Sequence, residues 1–207
     1  MIYLSGTTLQ YFEYPEYFGC MFNTGKQTGG QNAALDAGCK FAIDNGAFSG
    51  QFTEERWLSG LARFAPYADN CLFAIVPDVV FNWEATRERF DKYYRQVARM
   101  GFPVAYATQN GQPAAEVPWE SIGALFIGGD HNHKRNGEAQ LLAQEARRRG
   151  KWVHVGRVSS GWRIIKNFLW CDSCDGTTFK YSPSDQTKYT SIINGLNHDK
   201  IWQSRLI

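Results

Sequence analysis

Eight short apolar runs recur along the 207-residue chain, and longer stretches of mixed polarity separate them. Most of the runs are nearly continuous in apolar residues instead of alternating, which is typical of parallel strands covered on both faces. We therefore predict eight parallel strands. They lie at residues 2–5, 18–23, 40–44, 71–76, 103–108, 124–129, 152–156 and 168–172.

The stretches between these runs carry helix signals. Residues 53–68 begin with Thr53 and two acids, which is typical of a helix start. Residues 82–100 place apolar side chains at helical spacing, and residues 138–150 end in three arginines and a glycine. Shorter helices are predicted at 31–38, 159–167 and 186–195.

Strands and helices that alternate along a chain indicate an α/β fold with a parallel sheet. Eight such strands predict a compact single-domain (β/α)8 barrel, the TIM-barrel fold, over residues 1–207. An open doubly wound sheet is the alternative. No repeat, low-complexity tract or linker in the sequence indicates a second domain.

Composition and charge exclude few functions. The chain is 43% hydrophobic and 20% charged, so a long disordered stretch is not expected. Its formal net charge of +2 neither requires nor excludes a nucleic-acid partner. No apolar run approaches the roughly 20 residues of a membrane span, and the N-terminus lacks the pattern of a signal peptide. With five cysteines that we interpret as reduced thiols, we expect a cytoplasmic protein without membrane contact.

The predicted strands end in polar residues. In a (β/α)8 barrel the side chains that act on a substrate lie at the carboxyl ends of the strands. Acids follow the third, fourth and eighth strands, and carboxylates that converge perturb each other's proton affinity, as an acid/base pair or a carboxylate nucleophile requires. The candidate residues are Asp44, Asn45, Phe48, Asp78, Gln109, Gly128, Gly129, His154, Arg157, Asp172 and Asp175.

No metal site is predicted. Cys171 and Cys174 have the spacing of half a zinc site, but the other three cysteines are isolated and the chain has only four histidines. Buried thiols are therefore the interpretation of this pair. His131 and His133 stand two residues apart and are interpreted as part of a polar loop tip.

Four segments resemble motifs of the tRNA-guanine transglycosylases, in the same order along the barrel. They are "IDNGAFSG" (43–50), "ATQNG" (107–111), "FIGGD" (126–130) and "WCDSCDG" (170–176). The chain is far shorter than those enzymes and lacks the cysteine-rich zinc subdomain that follows their nucleophile. The resemblance thus implies one barrel domain of this type without a zinc-binding subdomain.

Two further segments are more similar to a compact and often phage-encoded branch, the DpdA-type 7-deazaguanine DNA transglycosylases. These segments are "VHVGRVSSGWR" (153–163) and "CDSCDGTTFKYSP" (171–183). The resemblance implies that guanine in DNA is exchanged for a 7-deazaguanine derivative such as preQ0, which is a co-substrate, without a further cofactor. DNA is then the expected partner, ahead of tRNA, in the host cytoplasm if the gene belongs to a phage. Whether a partner protein supplies DNA affinity is left open.

The resemblance also implies a role for each candidate residue. Asp175 is the nucleophile that captures C1′ of the sugar, and Asp44 is the acid/base that handles the proton of the departing and arriving base. The base-binding residues are Asp78, Gln109, Gly128, Gly129, Asn45 and Phe48, and core packing is the alternative role of Phe48.

The remaining candidates support the site or contact the nucleic acid. Asp172 and His154 are supporting residues, with the alternatives of a hydrogen bonder at a strand end and a core histidine. The target base must leave the helix to reach such a pocket. Phosphate contacts are predicted for Arg157, Ser159, Ser160 and Arg163.

Three other functions fit the same residues. A DNA glycosylase would use water, instead of a new base, to resolve the intermediate. A nucleic-acid-binding protein on a degenerate barrel would not use the acids at all. An unrelated barrel enzyme would hold a small phosphorylated substrate on "VGRVSSG" (155–161).

Overall fold

The computed structural model of the protein describes residues 1–6, 15–25, 29–50, 52–135, 137–158 and 171–176, together with positions 191, 194 and 195. It contains eight parallel strands: β1 Ile2–Ser5, β2 Phe18–Asn23, β3 Phe41–Asp44, β4 Cys71–Ile75, β5 Val104–Thr108, β6 Ala124–Ile127, β7 Trp152–Val155 and β8 Ser173–Asp175. Each strand pairs with the next, and β8 pairs with β1, so the sheet closes into a barrel in chain order. The predicted (β/α)8 barrel is confirmed, and the open doubly wound sheet is wrong.

Four α-helices lie between these strands within the described residues: α1 Gly29–Asp36, α2 Glu54–Phe64, α3 Trp83–Arg99 and α4 Glu138–Arg148. They confirm four of the predicted helices, with ends that differ by a few residues. The predicted helix at 159–167 lies outside the described residues, and so does most of the one at 186–195. None of the helices in the described ranges is long and apolar enough to cross a membrane.

Local sequence explains where α2 and α3 begin and where α2 ends. The side chain of Thr53 accepts a hydrogen bond from Arg56 N, and that of Asn82 accepts one from Ala85 N, so each residue caps the helix that follows it. We expected α2 to continue to residue 68, but it ends at Phe64. Pro66 lacks a backbone N–H, and the chain continues as a 3₁₀ turn over Ala65–Asn70.

Alternate residues of each strand face the barrel interior. The outward residues pack against the helices in a core rich in aromatic rings, among them Phe41, Trp57 and Tyr106. The inward residues form a second and smaller cluster that contains four alanines beside Leu4, Phe73 and Ile75. Because side chains repeat every two residues along a strand, the strand-end acids on the inward register point into the barrel.

The position of the last strand differs from the prediction. We expected it at residues 168–172, but β8 runs from Ser173 to Asp175, and residues 168–170 lie outside the described part of the chain. The apolar run at 168–172 predicted the wrong position because two of the three residues of β8 are polar. Ser173 pairs with His154 of β7, and its buried hydroxyl is hydrogen-bonded there, which is why a polar residue is tolerated inside the barrel.

Candidate active site

A cavity of about 230 Å³ lies at the carboxyl end of the barrel. It receives residues from the ends of seven strands, β2 to β8. Its lining combines apolar side chains of the barrel interior with the polar residues that follow the strands. The lining residues are Met21, Asp44, Asn45, Phe48, Ser49, Ile75, Asp78, Val80, Ala107, Gln109, Phe126, Gly128, Gly129, Lys134, Arg157 and Asp175. Nine of the residues predicted from the sequence are among them.

Asp44 is the last residue of β3 and follows the inward-facing Ala42 by two positions. Its Oδ1 accepts a hydrogen bond of 3.2 Å from Gly46 N. Burial raises the pKa of Asp44 to about 6; the Gly46 amide opposes that rise, and the negative charges of Asp175 and Asp78 add to it. The carboxyl group can therefore take up or release a proton near neutral pH.

Asn45 and Gln109 hold the two oxygens of Asp78. Asn45 Nδ2 donates to Asp78 Oδ1 at 2.9 Å, and Gln109 Nε2 donates to Asp78 Oδ2 at 2.7 Å. Asn45 Nδ2 also donates to Val76 O at 3.1 Å, and Gln109 Oε1 accepts from Phe81 N at 2.9 Å. Burial raises the pKa of Asp78, and the two side-chain hydrogen bonds oppose the rise. The cavity therefore contains a rigid acceptor flanked by amides.

Two glycines after β6 allow the backbone to pass close to this network. A Cβ atom at Gly128 would lie 2.5 Å from Thr108 O and 3.4 Å from Gln109 Nε2. A Cβ atom at Gly129, where φ is +72°, would lie 2.6 Å from Asn110 Oδ1. At Gly128 a side chain would collide with the backbone, and at Gly129 the positive φ favours glycine. The peptide groups of this turn consequently form part of the cavity wall.

Asp175 ends β8 and lines the same cavity. Its Oδ1 accepts two hydrogen bonds, one from His154 Nε2 at 2.9 Å and one from Arg157 N at 2.9 Å. The Asp175 side chain is 20% exposed, whereas the His154 side chain is completely buried. The carboxylate thus faces the cavity, and the imidazole supports it from behind.

His154 belongs to a buried chain of hydrogen bonds inside the barrel. Its Nδ1 lies 2.8 Å from Ser173 Oγ, and Ser173 Oγ accepts a hydrogen bond of 2.8 Å from Trp152 Nε1. The rings of Phe126 and Phe73 lie 4.8 Å and 5.0 Å from the imidazole, and Phe126 stacks on it. Burial lowers the pKa of His154, and the neighbouring Asp175 opposes this change. His154 is thus a buried core histidine that also contacts the proposed nucleophile.

Phe48 and Arg157 lie together at the cavity mouth. The guanidinium carbon of Arg157 is 3.7 Å from the centre of the Phe48 ring, and Phe48 is 54% exposed. Core packing, the alternative that we considered for Phe48, is therefore wrong. Arg157 has a φ of +59°, which is rare for a residue with a side chain and places its amide on Asp175 while its side chain reaches Phe48.

Asp172 does not line the cavity. Its Oδ2 accepts a hydrogen bond of 2.8 Å from Val153 N, and its backbone carbonyl accepts one from Ile2 N. It precedes β8 and lies at the opposite end of the barrel from Asp175. Of the two alternatives, the structure therefore favours a hydrogen bonder at a strand end. Three predicted phosphate contacts, Ser159, Ser160 and Arg163, lie outside the described residues.

In the described residues, no group of three or more His, Cys, Asp or Glu side chains is arranged to hold a metal ion. Cys171 and Cys174 are both buried, as their interpretation requires. The interpretation of His133 as part of a polar loop tip is wrong, because its side chain is buried beside Gly129. His131, two residues earlier, is exposed.

Several residues that line the cavity or lie behind it were not predicted from the sequence. Lys134 lines the cavity, and its Nζ donates a hydrogen bond of 2.7 Å to Gly156 O. Lys134 lies several residues beyond the end of β6, so a search for polar residues directly after the strands does not identify it. Ser173 and Trp152 were not singled out either, although both lie on the inward register of their strands. A serine on the inward register of a barrel strand is the signal that identifies this position.

No protein-family model matches the sequence, and no curated protein matches it. Among solved structures, the tryptophan synthase α-subunit of Pyrococcus furiosus superposes with a TM-score of 0.54 at 10% identity, over 95% of this chain and 96% of that one. A protein of Aquifex aeolicus VF5 gives a TM-score of 0.51 at 14% identity, over 94% of this chain and 88% of that one. At such identities these likenesses show that the chain shares the barrel fold and nothing more.

Proposed function

We propose that the protein is a transglycosylase that exchanges guanine in DNA for a 7-deazaguanine base, as the resemblance to the DpdA-type enzymes implies. One observation carries the proposal. Asp44 and Asp175, which are far apart in the chain, line a single cavity together with Asp78 and Gln109. The electrostatic effect of Asp175 on the pKa of Asp44 indicates that both acids act within the same small volume.

The reaction has two balanced halves. An oxygen of Asp175 forms a bond to C1′ as the bond from C1′ to N9 of guanine breaks; the electron pair leaves with the base, and Asp44 supplies a proton to it. The incoming 7-deazaguanine then gives its N9 proton to Asp44, its N9 attacks C1′, and the ester bond returns its electron pair to Asp175. A pKa of about 6 suits Asp44 to both proton transfers at neutral pH.

The polar wall of the cavity complements a guanine-like edge. The Asp78 oxygens can accept from ring and exocyclic N–H groups. The second hydrogen of Gln109 Nε2 and the peptide groups of Gly128 and Gly129 can meet the carbonyl oxygen at the same edge. Because Gln109 Oε1 already accepts from Phe81 N, Gln109 contributes a donor here.

The size of the cavity supports a base as the ligand. Its volume of about 230 Å³ is below the roughly 300–1,000 Å³ of pockets for drug-sized ligands. A single flat base extruded from DNA fits such a volume better than a whole nucleotide does. The sugar and phosphates would then remain at the mouth, where Arg157 is exposed. DNA as the partner remains a prediction of the sequence.

The test is an exchange assay with purified protein, guanine-containing DNA and 7-cyano-7-deazaguanine, followed by digestion and mass spectrometry of the nucleosides. We expect one inserted 7-deazaguanine for each guanine released. The Asp175→Asn variant should lose more than about 1,000-fold of this activity, because it cannot form the ester, and should still bind DNA. Asp69→Asn is the matched control, since Asp69 is exposed on the 3₁₀ turn before β4, at the other end of the barrel.

Other outcomes of this assay assign the other functions. Release of a base without insertion would indicate a glycosylase that leaves an abasic site. Exchange in tRNA but not in DNA would contradict the proposed partner. If the wild-type protein binds DNA but neither releases nor inserts a base, the proposed chemistry is wrong and a non-catalytic binding protein is favoured. Activity on a small phosphorylated substrate without any polynucleotide would instead indicate the unrelated barrel enzyme.

A further inference from the structure

We infer that His154, oriented by Ser173 and Trp152, is a positioning residue that determines which oxygen of Asp175 bonds to the sugar. The inference rests on the proposed function, since it concerns the nucleophile of that reaction. It assigns a specific role to two buried residues, His154 and Ser173, and to the half-buried Trp152, none of which lines the cavity.

The two oxygens of the Asp175 carboxylate have different surroundings. Both hydrogen bonds that it accepts, from His154 Nε2 and from Arg157 N, end on Oδ1. Within the described part of the chain, no hydrogen bond ends on Oδ2. Because Asp175 lines the cavity, Oδ2 is the oxygen that has lone pairs available for a substrate.

The hydrogen-bond chain from Trp152 to Asp175 has a direction that its two ends determine. The Trp152 indole can only donate, and an ionised Asp175 can only accept. His154 is completely buried, which favours the neutral ring with a single N–H. That hydrogen must lie on Nε2 to reach Asp175, so Nδ1 accepts from the Ser173 hydroxyl, which in turn accepts from Trp152.

The His154 imidazole is held in place by the rings around it. Phe126 stacks on one side at 4.8 Å with an interplanar angle of 24°, and Phe73 lies at 5.0 Å. Gly156 makes room for the Phe126 ring, because a Cβ atom at Gly156 would lie 2.4 Å from the ring. A ring packed in this way keeps its Nε2–H directed at Oδ1.

The chemical consequence concerns both halves of the reaction. The bond to C1′ forms at Oδ2, and Oδ1 becomes the carbonyl oxygen of the ester while it keeps its two donors. When the ester breaks, negative charge returns to the carboxylate, and the His154 donor stabilises that charge. Loss of the donor should therefore slow the second half and let the covalent adduct accumulate.

The experiment compares His154→Gln with His154→Asn. The Gln amide can place an N–H where Nε2 stands and so reach Asp175, whereas the shorter Asn amide reaches only as far as Ser173. Both variants bury an amide in place of the imidazole, so their free energies of unfolding should be similar. We expect His154→Gln to exchange bases at a rate close to wild type. His154→Asn should lose about 10- to 100-fold, the effect of one hydrogen bond to a charged group, and should accumulate adduct.

A second measurement does not depend on turnover. Nitrogen-15 NMR of the imidazole in the free protein should show a neutral ring protonated at Nε2. In Ser173→Ala the hydrogen should stay on Nε2, because Asp175 remains its acceptor, while the Nδ1 resonance shifts because it has lost the Ser173 donor. A wild-type ring protonated at Nδ1, or a doubly protonated ring, would overturn the inference.

The two proposals fail in different ways. If wild type exchanges bases and the Gln and Asn variants do so at equal rates, the role of His154 is wrong while the proposed function stands. If wild type forms neither adduct nor product, the proposed function is wrong, and the role of His154 falls with it.

Discussion

Gln109 Nε2 donates a hydrogen bond of 2.7 Å to Asp78 Oδ2, and this contact determines what Gln109 offers to a ligand. The Oε1 atom of the same amide accepts from Phe81 N, so the amide cannot rotate without the loss of both contacts. Gln109 is buried and lines the cavity. Its remaining N–H is therefore a fixed donor beside a fixed carboxylate, which is a pattern that selects a carbonyl next to an N–H group.

Replacement of Gln109 by Glu should remove that donor and place a second acid against Asp78. Two acids at this distance share one proton at neutral pH, so the new carboxyl has a raised pKa in the folded state. Its cost in unfolding free energy, about 1–3 kcal/mol, should be present at neutral and alkaline pH and shrink as the pH falls. Base affinity, measured by calorimetry with guanine, should fall by at least about tenfold. It should not recover when the new carboxyl is protonated, because that group has a single O–H, which bonds Asp78, and no second donor for the ligand.

Gln112→Glu is the matched control for this variant. Gln112 is also buried, but its Oε1 accepts from the Tyr106 hydroxyl at 2.9 Å and does not face Asp78. The Gln112→Glu substitution should therefore leave guanine affinity unchanged. Equal loss of affinity in both variants would show that burial of any new carboxyl, and not the missing donor, is responsible.

Asp44 should make the stability of the protein depend on pH. Its pKa is raised from 3.8 to about 6, so the folded state binds a proton more tightly than the unfolded state does. The resulting cost is complete above about pH 6 and disappears as the pH falls below the unfolded value. Asp44→Asn should therefore be more stable than wild type at neutral pH, by about 3 kcal/mol. This advantage should vanish in acid.

Urea unfolding at a series of pH values measures this difference directly. Asp69→Asn provides the baseline, because Asp69 is an exposed acid outside the cavity. A difference between wild type and Asp44→Asn that stays constant across the pH series would contradict the raised pKa of Asp44.

The sequence was sufficient to predict the barrel and most of its cavity. Apolar runs locate buried parallel strands, and the residue after each run falls at the same end of the barrel, which is why Asp44, Asp78 and Gln109 could be assigned together. Asp175 was assigned from the resemblance of its motif, even though the strand that carries it was misplaced.

The rest of the site depends on contacts that local patterns do not encode. Ser173 and His154 are 19 residues apart, and their contact follows from the pairing of β7 with β8, which the predicted position of β8 did not give. Lys134 reaches the cavity from within a loop. The direction of the Gln109 amide depends on Phe81, whose backbone has the unusual φ of +66°. Local propensity does not predict such a backbone conformation.

Gly128→Ala should close part of the cavity without unfolding the barrel. The new Cβ would meet Thr108 O at 2.5 Å and must displace the turn after β6 toward Gln109. We expect guanine affinity to fall by at least about tenfold and stability to fall by about 1–3 kcal/mol, the usual cost of overpacking. Gly123→Ala is the control, since its nearest contact would be an ordinary 3.5 Å to Pro103 Cβ. If both substitutions leave affinity unchanged, the peptide groups after β6 do not contact the base.

Phe81 should contact DNA if the proposed substrate is correct. Of the three exposed large hydrophobic residues in the described part of the chain, Phe48 and Phe81 lie on the loops that line the cavity, and Leu141 lies on α4. Val80, next to Phe81, is a lining residue, and the amide of Phe81 bonds Gln109. Stacking of one base on an aromatic ring contributes about 1–3 kcal/mol, so Phe81→Ala should weaken single-stranded DNA binding by about 5- to 150-fold.

The dependence of this binding on salt separates stacking from phosphate contacts. Phe81 has no charge, so Phe81→Ala should lower the affinity at every salt concentration and leave the slope of log affinity against log salt unchanged. Arg157→Ala should reduce that slope by about one if Arg157 contacts a phosphate. Leu141→Ala removes an even more exposed apolar side chain from the outside of the barrel and should change neither quantity. A loss in Leu141→Ala as large as that in Phe81→Ala would mean that nonspecific apolar contact explains the binding, and the cavity mouth would then have no special role in it.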